Sequence, residues 1–261
     1  EATRLGLSVC IVDRKPHRST YSKALVIHAR TMEIFERMGV SDAIVAVGVP
    51  FAAMRLVPGQ NATPFTVDLM ALDWGDTRFP FWLSLPQYET ERCLEEHLIS
   101  QGVSVHWRTP FVSLDQHNDG NADDHRVHAT VTRPDGTPWH IEAKWVIGCD
   151  GGRSPVREQA GLAFDHEKLG QTFVIADALG DAPVPEDHGT TSLSTSGVVF
   201  FVPMPEPRRW RIIAHMPDHD AAAPIDIDTD FVDAVIRDRL GFDFGGTARL
   251  DIGDGDLTLA A

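Results

Sequence analysis

Cysteine is scarce in this sequence: 261 residues hold only Cys10, Cys93 and Cys149, and no CxxC pair. That excludes a disulfide framework and a cysteine-built zinc site, and it fits a reducing, cytoplasmic setting. Long apolar runs are also missing. No stretch of about eighteen apolar residues occurs, so no transmembrane helix is expected. The start has no basic segment leading into an apolar one, so no signal peptide is visible. Positive charge is in deficit, with 23 Lys and Arg against 38 Asp and Glu, a net charge of −15 and a pI near 5.1. Such a surface repels phosphate backbones and anionic lipid, and neither nucleic acid nor membrane is an expected partner. Twelve histidines are present, but none forms HExxH or a Cys/His cluster. His125 and His128 sit in a polar, strand-like stretch, where a surface role is expected and metal ligation is not. The chain begins at Glu1 without a methionine, and its true start is expected upstream.

What is present is an apolar fraction of 43%, enough for a sizeable core in one large or two modest domains. Residues 1–6 read as the last turn of a helix with Gly6 as its cap. Leu7 to Val12 reads as a buried, parallel strand ending at Asp13. A helix feeding such a strand is the second half of a βαβ unit. His28 to Met38 spaces Met32, Phe35 and Met38 along one helical face, with Gly39 as cap. Strands are expected at residues 51–57, 63–69 and 81–85. A helix follows over 89–101, with Leu94, Leu98 and Ile99 inward and Gly102 as cap. Further strands are expected at residues 103–107, 111–115, 126–133 and 139–147, with Asp119-Gly120 and Asp135-Gly136 as turns. A short helix over 154–160 ends at Gly161. Residues 171–178, 191–202 and 208–216 are β-rich and punctuated by proline, as in an antiparallel sheet, and a helix covers 231–240.

Two places carry chemistry. A carboxylate at Asp13, closing the second strand of a βαβ unit, can accept hydrogen bonds from both hydroxyls of an adenosine ribose. The run from Trp145 through Gly148-Cys149-Asp150-Gly151-Gly152-Arg153-Ser154 to Arg157 ends an apolar strand in a small-residue turn before a helix start. Glycines there let backbone approach a ligand closely, and Asp150 can reach a ribose or, through water, a pyrophosphate. The plain alternative is a strand-to-helix turn with Ser154 as N-cap.

Four segments, in order, carry a resemblance to a known family. They are Val12-Asp13-Arg14, the stretch from Ser22 to Glu33 (SKALVIHARTME), Leu85-Pro86-Gln87 with the following Glu89-Thr90-Glu91-Arg92-x-Leu94, and Asp150-Gly151. Over roughly residues 1–215 the chain resembles the class A flavoprotein hydroxylases, FAD-dependent aromatic-ring monooxygenases of the para-hydroxybenzoate hydroxylase and phenol hydroxylase kind. The resemblance implies an α/β fold (α+β overall). A Rossmann-like FAD domain would be built from residues 1–50 and 86–165, and an antiparallel β-rich substrate domain from 51–85 and 166–261. It implies FAD as cofactor and NAD(P)H as co-substrate. Dioxygen supplies the oxygen atom placed on a small aromatic, phenolic or polyketide-like substrate.

The resemblance also assigns roles. Asp13 binds the adenosine ribose and Arg14 lies along the adenine. Lys23 stands where the family usually has an arginine facing the FAD pyrophosphate and the incoming nicotinamide. Gln87 bonds the ribityl region, and Asp150 with Gly151 serves both FAD and NAD(P)H. Arg30 and Arg92 hold local structure through ion pairs. No side chain is given a catalytic role, because the flavin carries the chemistry. Phe200, Phe201, Val202 and Met204 are candidates for an aromatic pocket, with core packing the alternative for at least half of them.

Two family parts are not found: the Gly-x-Gly-x-x-Gly loop, expected before residue 1, and a Gly-Asp-Ala-Ala-His motif. Gly253-Asp254 reads as a turn. On this reading the chain is truncated at both ends, and it is expected to fold in part without hydroxylating a substrate. The rivals are a non-catalytic fragment and a same-fold epoxidase, reductase or halogenase, the last lacking its Trp-x-Trp-x-Ile-Pro pattern here. A homodimer is left open.

Overall fold

The structure, a computed structural model, describes residues 1–20, 22–58, 63–117, 126–165, 171–217, 219 and 225–244. After a 3-10 turn at Thr3–Leu5 come β1 (Ile11–Val12), β2 (Val26–Ile27), α1 (Ala29–Met38) and α2 (Ser41–Val45). β3 (Val49–Pro50), β4 (Ala53–Val57), β5 (Phe65–Asp68) and β6 (Leu83–Ser84) precede α3 (Gln87–Ser100). β7 (Val105–His106), β8 (Phe111–His117), β9 (Arg126–Thr132), β10 (Pro138–Ala143) and α4 (Pro155–Gln159) follow. The last elements are β11 (Phe173–Leu179), β12 (His188–Ser194), β13 (Gly197–Pro203), β14 (Arg209–His215) and α5 (Thr229–Leu240). The mixed α/β class with several sheets is the one expected. The chain divides into two compact units, one of residues 1–19 and 94–167, the other of residues 20–93 and 168–261. Asp119-Gly120, His125 and Gly253-Asp254 lie outside the described residues.

In the first unit, β1 pairs in parallel with β7, Ile11 opposite Val105 and Val12 opposite His106. β8, β9 and β10 form an antiparallel meander. Gln159 on α4 clasps the edge of β8, accepting from Leu114 N at 2.7 Å and donating to Val112 O at 2.9 Å. Two expectations fail here. The strand foreseen from Leu7 is a ladder only at Ile11–Val12, and Leu7 is 59% exposed instead of buried. The strand foreseen to Ile147 stops at Ala143, and Trp145 and Ile147 are 82% and 80% exposed. Apolar, β-branched sequence makes a strand only where a neighbour supplies ladder hydrogen bonds, and among the described residues, 7–10 and 144–147 are in no ladder. Ile99 on α3, expected inward, is also exposed.

The second unit is built on a six-stranded sheet in the order β11-β14-β13-β12-β4-β5, antiparallel except for the parallel β12–β4 pair. A small sheet of β2, β6 and β3 accompanies it. The stretch 191–202, read as one strand, is a hairpin: β12 and β13 meet with Ser194 opposite Gly197. The two-residue Thr195-Ser196 turn lacks the Asn-Gly or Asp-Gly signature, so the reversal is invisible in sequence. Gly197 is required there. Its φ is +115°, and a Cβ would lie 2.4 Å from the His215 carbonyl oxygen.

Strand alternation gives the sheet two different faces. One carries Ala176, Ala178, Val199, Phe201, Trp210, Ile212 and Ala214 and packs against Val232, Val235, Ile236 and Leu240 of α5. Helix α5 starts where Asp228 accepts from Phe231 N at 2.8 Å and stops at Gly241, φ +77°. The other face carries Asp177, Arg211 and Val202, with Arg211 opposite both neighbours in register. Val202 and Met204 join Leu25, Phe51 and Leu69 in a second buried cluster.

Candidate functional site

Asp13 leaves the end of β1 in a fixed setting. Its N–H donates to His106 O at 3.0 Å, its carbonyl accepts from Thr109 N at 2.8 Å, and Lys15 O accepts from Arg108 N at 2.8 Å. Glu95 steadies both sides of this edge, pairing with Arg18 at 2.7 Å and accepting from Trp107 Nε1 at 3.1 Å. The Asp13 side chain uses Oδ1 for Lys15 N at 2.8 Å. Oδ2 has no protein partner among the described residues, so one oxygen holds the turn and one remains for a ligand. Arg14 is exposed beside it.

Asp150 and Gly151 lie in the same unit as Asp13. Asp150 Oδ2 accepts from Val156 N at 3.2 Å, across the turn into α4. Partial burial pushes its carboxyl up, but hydrogen bonds from the Ser154 hydroxyl and Val156 N–H, with Arg157 nearby, hold it below the usual carboxylate range. Ser154 caps α4 by accepting from Arg157 N at 3.0 Å, so the plain strand-to-helix turn is also present. Arg157 donates to Gly152 O at 2.8 Å and lies 4.4 Å over the Phe164 ring, which ties the turn down from outside. Gly151, at φ +83°, has nothing within 4 Å of where a Cβ would be. The turn therefore keeps a carboxylate ionised beside open backbone, which suits a polar ligand.

Lys23 and Gln87 belong to the second unit, and there the structure brings them together. Gln87 N donates to Ser22 Oγ at 2.7 Å and to Ala24 O at 3.1 Å, on either side of Lys23. Leu85 N donates to Leu25 O at 2.9 Å, which continues the pairing. The Gln87 amide nitrogen donates to Glu91 Oε1 at 2.8 Å, one turn along α3, and fixes which end of the amide is free to accept. Lys23 is exposed, with no ion-pair partner among the described residues. Arg30 and Arg92 pair with Glu33 at 2.7 Å and Glu89 at 2.8 Å, each within its own helix.

Of the four pocket candidates, Phe201 is fully buried on the α5 side, stacked on Trp210 with centroids 4.5 Å apart, so its role is packing. Val202 and Met204 are buried in the opposite cluster, and Phe200 is 37% exposed. Sequence reasoning missed Asp177, Arg211 and the hydroxyl of Ser22, which are buried or half-buried beneath Lys23 and Gln87. The available signal was an aspartate inside the otherwise apolar strand β11, and an arginine between the apolar Trp210 and Ile212 of β14. Among the described residues no group of three or more His, Cys, Asp or Glu is placed to hold a metal ion. No helix there is long and apolar enough to cross a membrane.

Comparison with known proteins shows which family the chain belongs to. The family model described as FAD binding domain matches residues 2–250. The chain is 34% identical over 214 residues to 6-methylpretetramide 4-monooxygenase of Streptomyces rimosus, covering 82% of this chain and 36% of that protein. It is 30% identical over 251 residues to a 12-dehydrotetracycline 5-monooxygenase/anhydrotetracycline 6-monooxygenase of Streptomyces rimosus subsp. rimosus, covering 92% and 46%. Aklavinone-11 hydroxylase, solved as a ternary complex with FAD and aklavinone, superposes with a TM-score of 0.76 at 24% identity, covering 95% and 48%, which shows a shared fold. The chain thus spans less than half the length of each of these three proteins. With a family model matching nearly its whole length, this chain belongs to the FAD-binding domain family of the class A flavoprotein hydroxylases.

Proposed function

We propose that the chain is the flavin- and substrate-binding part of an FAD-dependent monooxygenase that hydroxylates an aromatic, phenolic or polyketide-like, substrate with NAD(P)H and dioxygen. The observation that carries this reading is the family match over residues 2–250. The site geometry suits it. Asp13 offers a ligand-free Oδ2 to the adenosine ribose, with Arg14 along the adenine. Lys23 supplies a point charge to the pyrophosphate and the nicotinamide, Gln87 offers its amide oxygen to the ribityl chain, and Asp150-Gly151 offers a carboxylate beside open backbone. FAD, when bound, would supply the redox chemistry between NAD(P)H and dioxygen. The protein binds, orients and excludes water.

The Rossmann-like FAD domain would draw on residues 1–50 and 86–165, and the substrate domain on 51–85 and 166–261. The aromatic substrate would lie on the sheet face that carries Phe200 and Val202, since the opposite face is filled by α5. The thiols Cys10, Cys93 and Cys149, none of them in a disulfide, fit a cytoplasmic setting.

Two substitutions in a full-length version of the enzyme test the assignments. Asp150→Ala removes a charge-assisted acceptor, and FAD affinity is expected to fall on the order of 10- to 100-fold. Flavin fluorescence titration reads it, and an unchanged dissociation constant would remove Asp150 from the site. The carboxyl is held below its usual range, so its contribution to the stability of the turn is complete above the ordinary carboxylate pKa. It is lost only as pH falls through the lowered value. Lys23→Arg exchanges a flexible ammonium for a planar fork. FAD affinity is expected to stay within about twofold while the Michaelis constant for NAD(P)H changes several-fold. Identical steady-state kinetics for both forms would end that assignment.

A further inference from the structure

Beneath Lys23 and Gln87 lies a buried ion pair with one nitrogen to spare. Asp177 on β11 and Arg211 on β14 are register partners, 8% and 1% exposed. Arg211 Nε meets Asp177 Oδ1 at 2.7 Å and Nη2 meets Oδ2 at 2.8 Å, a two-pronged contact that fixes the guanidinium plane. Its remaining nitrogen, Nη1, points at the 22–24 segment, donating to Ser22 Oγ at 3.2 Å and Ala24 O at 3.4 Å. The Gln87 N–H converges on the same two acceptors. Ser22 Oγ in turn donates to Ala24 O. Its hydroxyl therefore gives its one proton and fills both acceptor positions, which is its full capacity.

We infer that Arg211, fixed by Asp177, is a positioning residue that sets the Ser22–Ala24 backbone against the first turn of α3, and so sets Lys23 and Gln87 relative to each other for the cofactor. The inference rests on the reading of those two residues as flavin-facing. The residue type follows from the geometry. Two prongs are needed for the carboxylate and a third, rigidly held, for the loop, and a guanidinium provides all three where an ammonium on a flexible stem does not. Neither Arg211 nor Asp177 need touch FAD. They act through Ser22.

Ser22→Ala, Arg211→Lys and the double variant of the 261-residue chain test this. Ser22→Ala deletes one half-buried hydroxyl and keeps the ion pair, while Arg211→Lys keeps the charge and loses the third prong. Hydrogen exchange at the Leu85 and Gln87 amides is expected to quicken about five- to tenfold in either single variant. Peptides from β11 and β14 should stay unchanged in Ser22→Ala. The double variant should exchange more slowly than the two single effects combined would give, because both remove the shared Arg211–Ser22 contact. FAD titration of the same variants in a full-length version should show a matching loss, smaller in the double variant than the two single losses combined. Unchanged exchange in Ser22→Ala, or fully additive effects, overturns the inference. Quicker exchange with unaltered FAD affinity overturns the flavin-facing reading of Lys23 and Gln87 and leaves only a structural clasp.

Discussion

Replacing Arg211 by methionine is expected to destabilise the second unit by about 3–5 kcal/mol. The attraction between Arg211 and Asp177 does not itself explain that size, because taking both charges out of water offsets much of it. The cost arises from what is left behind. Asp177 is 8% exposed, sits in a strand whose neighbours are apolar, and gives both oxygens to Arg211. Without the guanidinium, its charge has little water and no hydrogen-bonded cation, with Arg209 acting on it only through space. The double variant Asp177→Leu, Arg211→Met removes both charges together and should recover most of the loss, since an apolar pair of similar volume is often as stable as a buried ion pair. Urea denaturation followed by circular dichroism would read both. A single variant within about 1 kcal/mol of the parent would show that water reaches Asp177 and that the pair is not buried in solution.

Trp210→Ala is expected to cost about as much, 3–5 kcal/mol, by a different route. Trp210 is 1% exposed and lies flat on Phe201, centroids 4.5 Å apart and planes 18° from parallel. Phe242 and Phe244 meet Phe201 edge-on at 5.7 and 5.8 Å. The indole N–H donates to Gly180 O at 3.1 Å. Gly180 cannot move inward to fill the space, since a Cβ there would already lie 2.7 Å from the Phe244 ring. Removing the indole leaves a cavity walled by a strand and rigid rings, plus an unpaired carbonyl. Trp210→Phe isolates the second part and should cost on the order of 1 kcal/mol beyond its smaller area. If alanine proves no worse than phenylalanine, the ring cluster repacks and is not the rigid wall described here.

Much of the architecture could be read in the residues. Met32, Phe35 and Met38 with Gly39 give α1 its face and its end, and α5 runs from its cap at Asp228 to Gly241 much as the apolar spacing indicates. The four motif segments name the FAD-binding family before any coordinates. These features are local. A cap, a helical period or a short motif needs only neighbours along the chain.

Pairing partners were not legible. Leu7 and Trp145 sit in stretches as apolar as any strand in the protein, yet neither stretch is in a ladder among the described residues, and Leu7 and Trp145 are 59% and 82% exposed. The β12–β13 reversal at Thr195-Ser196 carries no turn signature, and it is the register partner, Ser194 opposite Gly197, that reveals it.

By itself, then, the sequence determined the chemistry that Asp13, Lys23, Gln87 and Asp150 can offer, because side-chain type and short-range pattern are written in order along the chain. Only the tertiary structure decided that Phe201 packs into the core while Phe200 is partly exposed. It alone brought Asp177 and Arg211, 34 residues apart, beneath a loop that begins at Ser22. The reason is physical. Which strand face is covered, and which buried charge finds a partner, depend on elements distant in sequence, and no local propensity encodes their meeting.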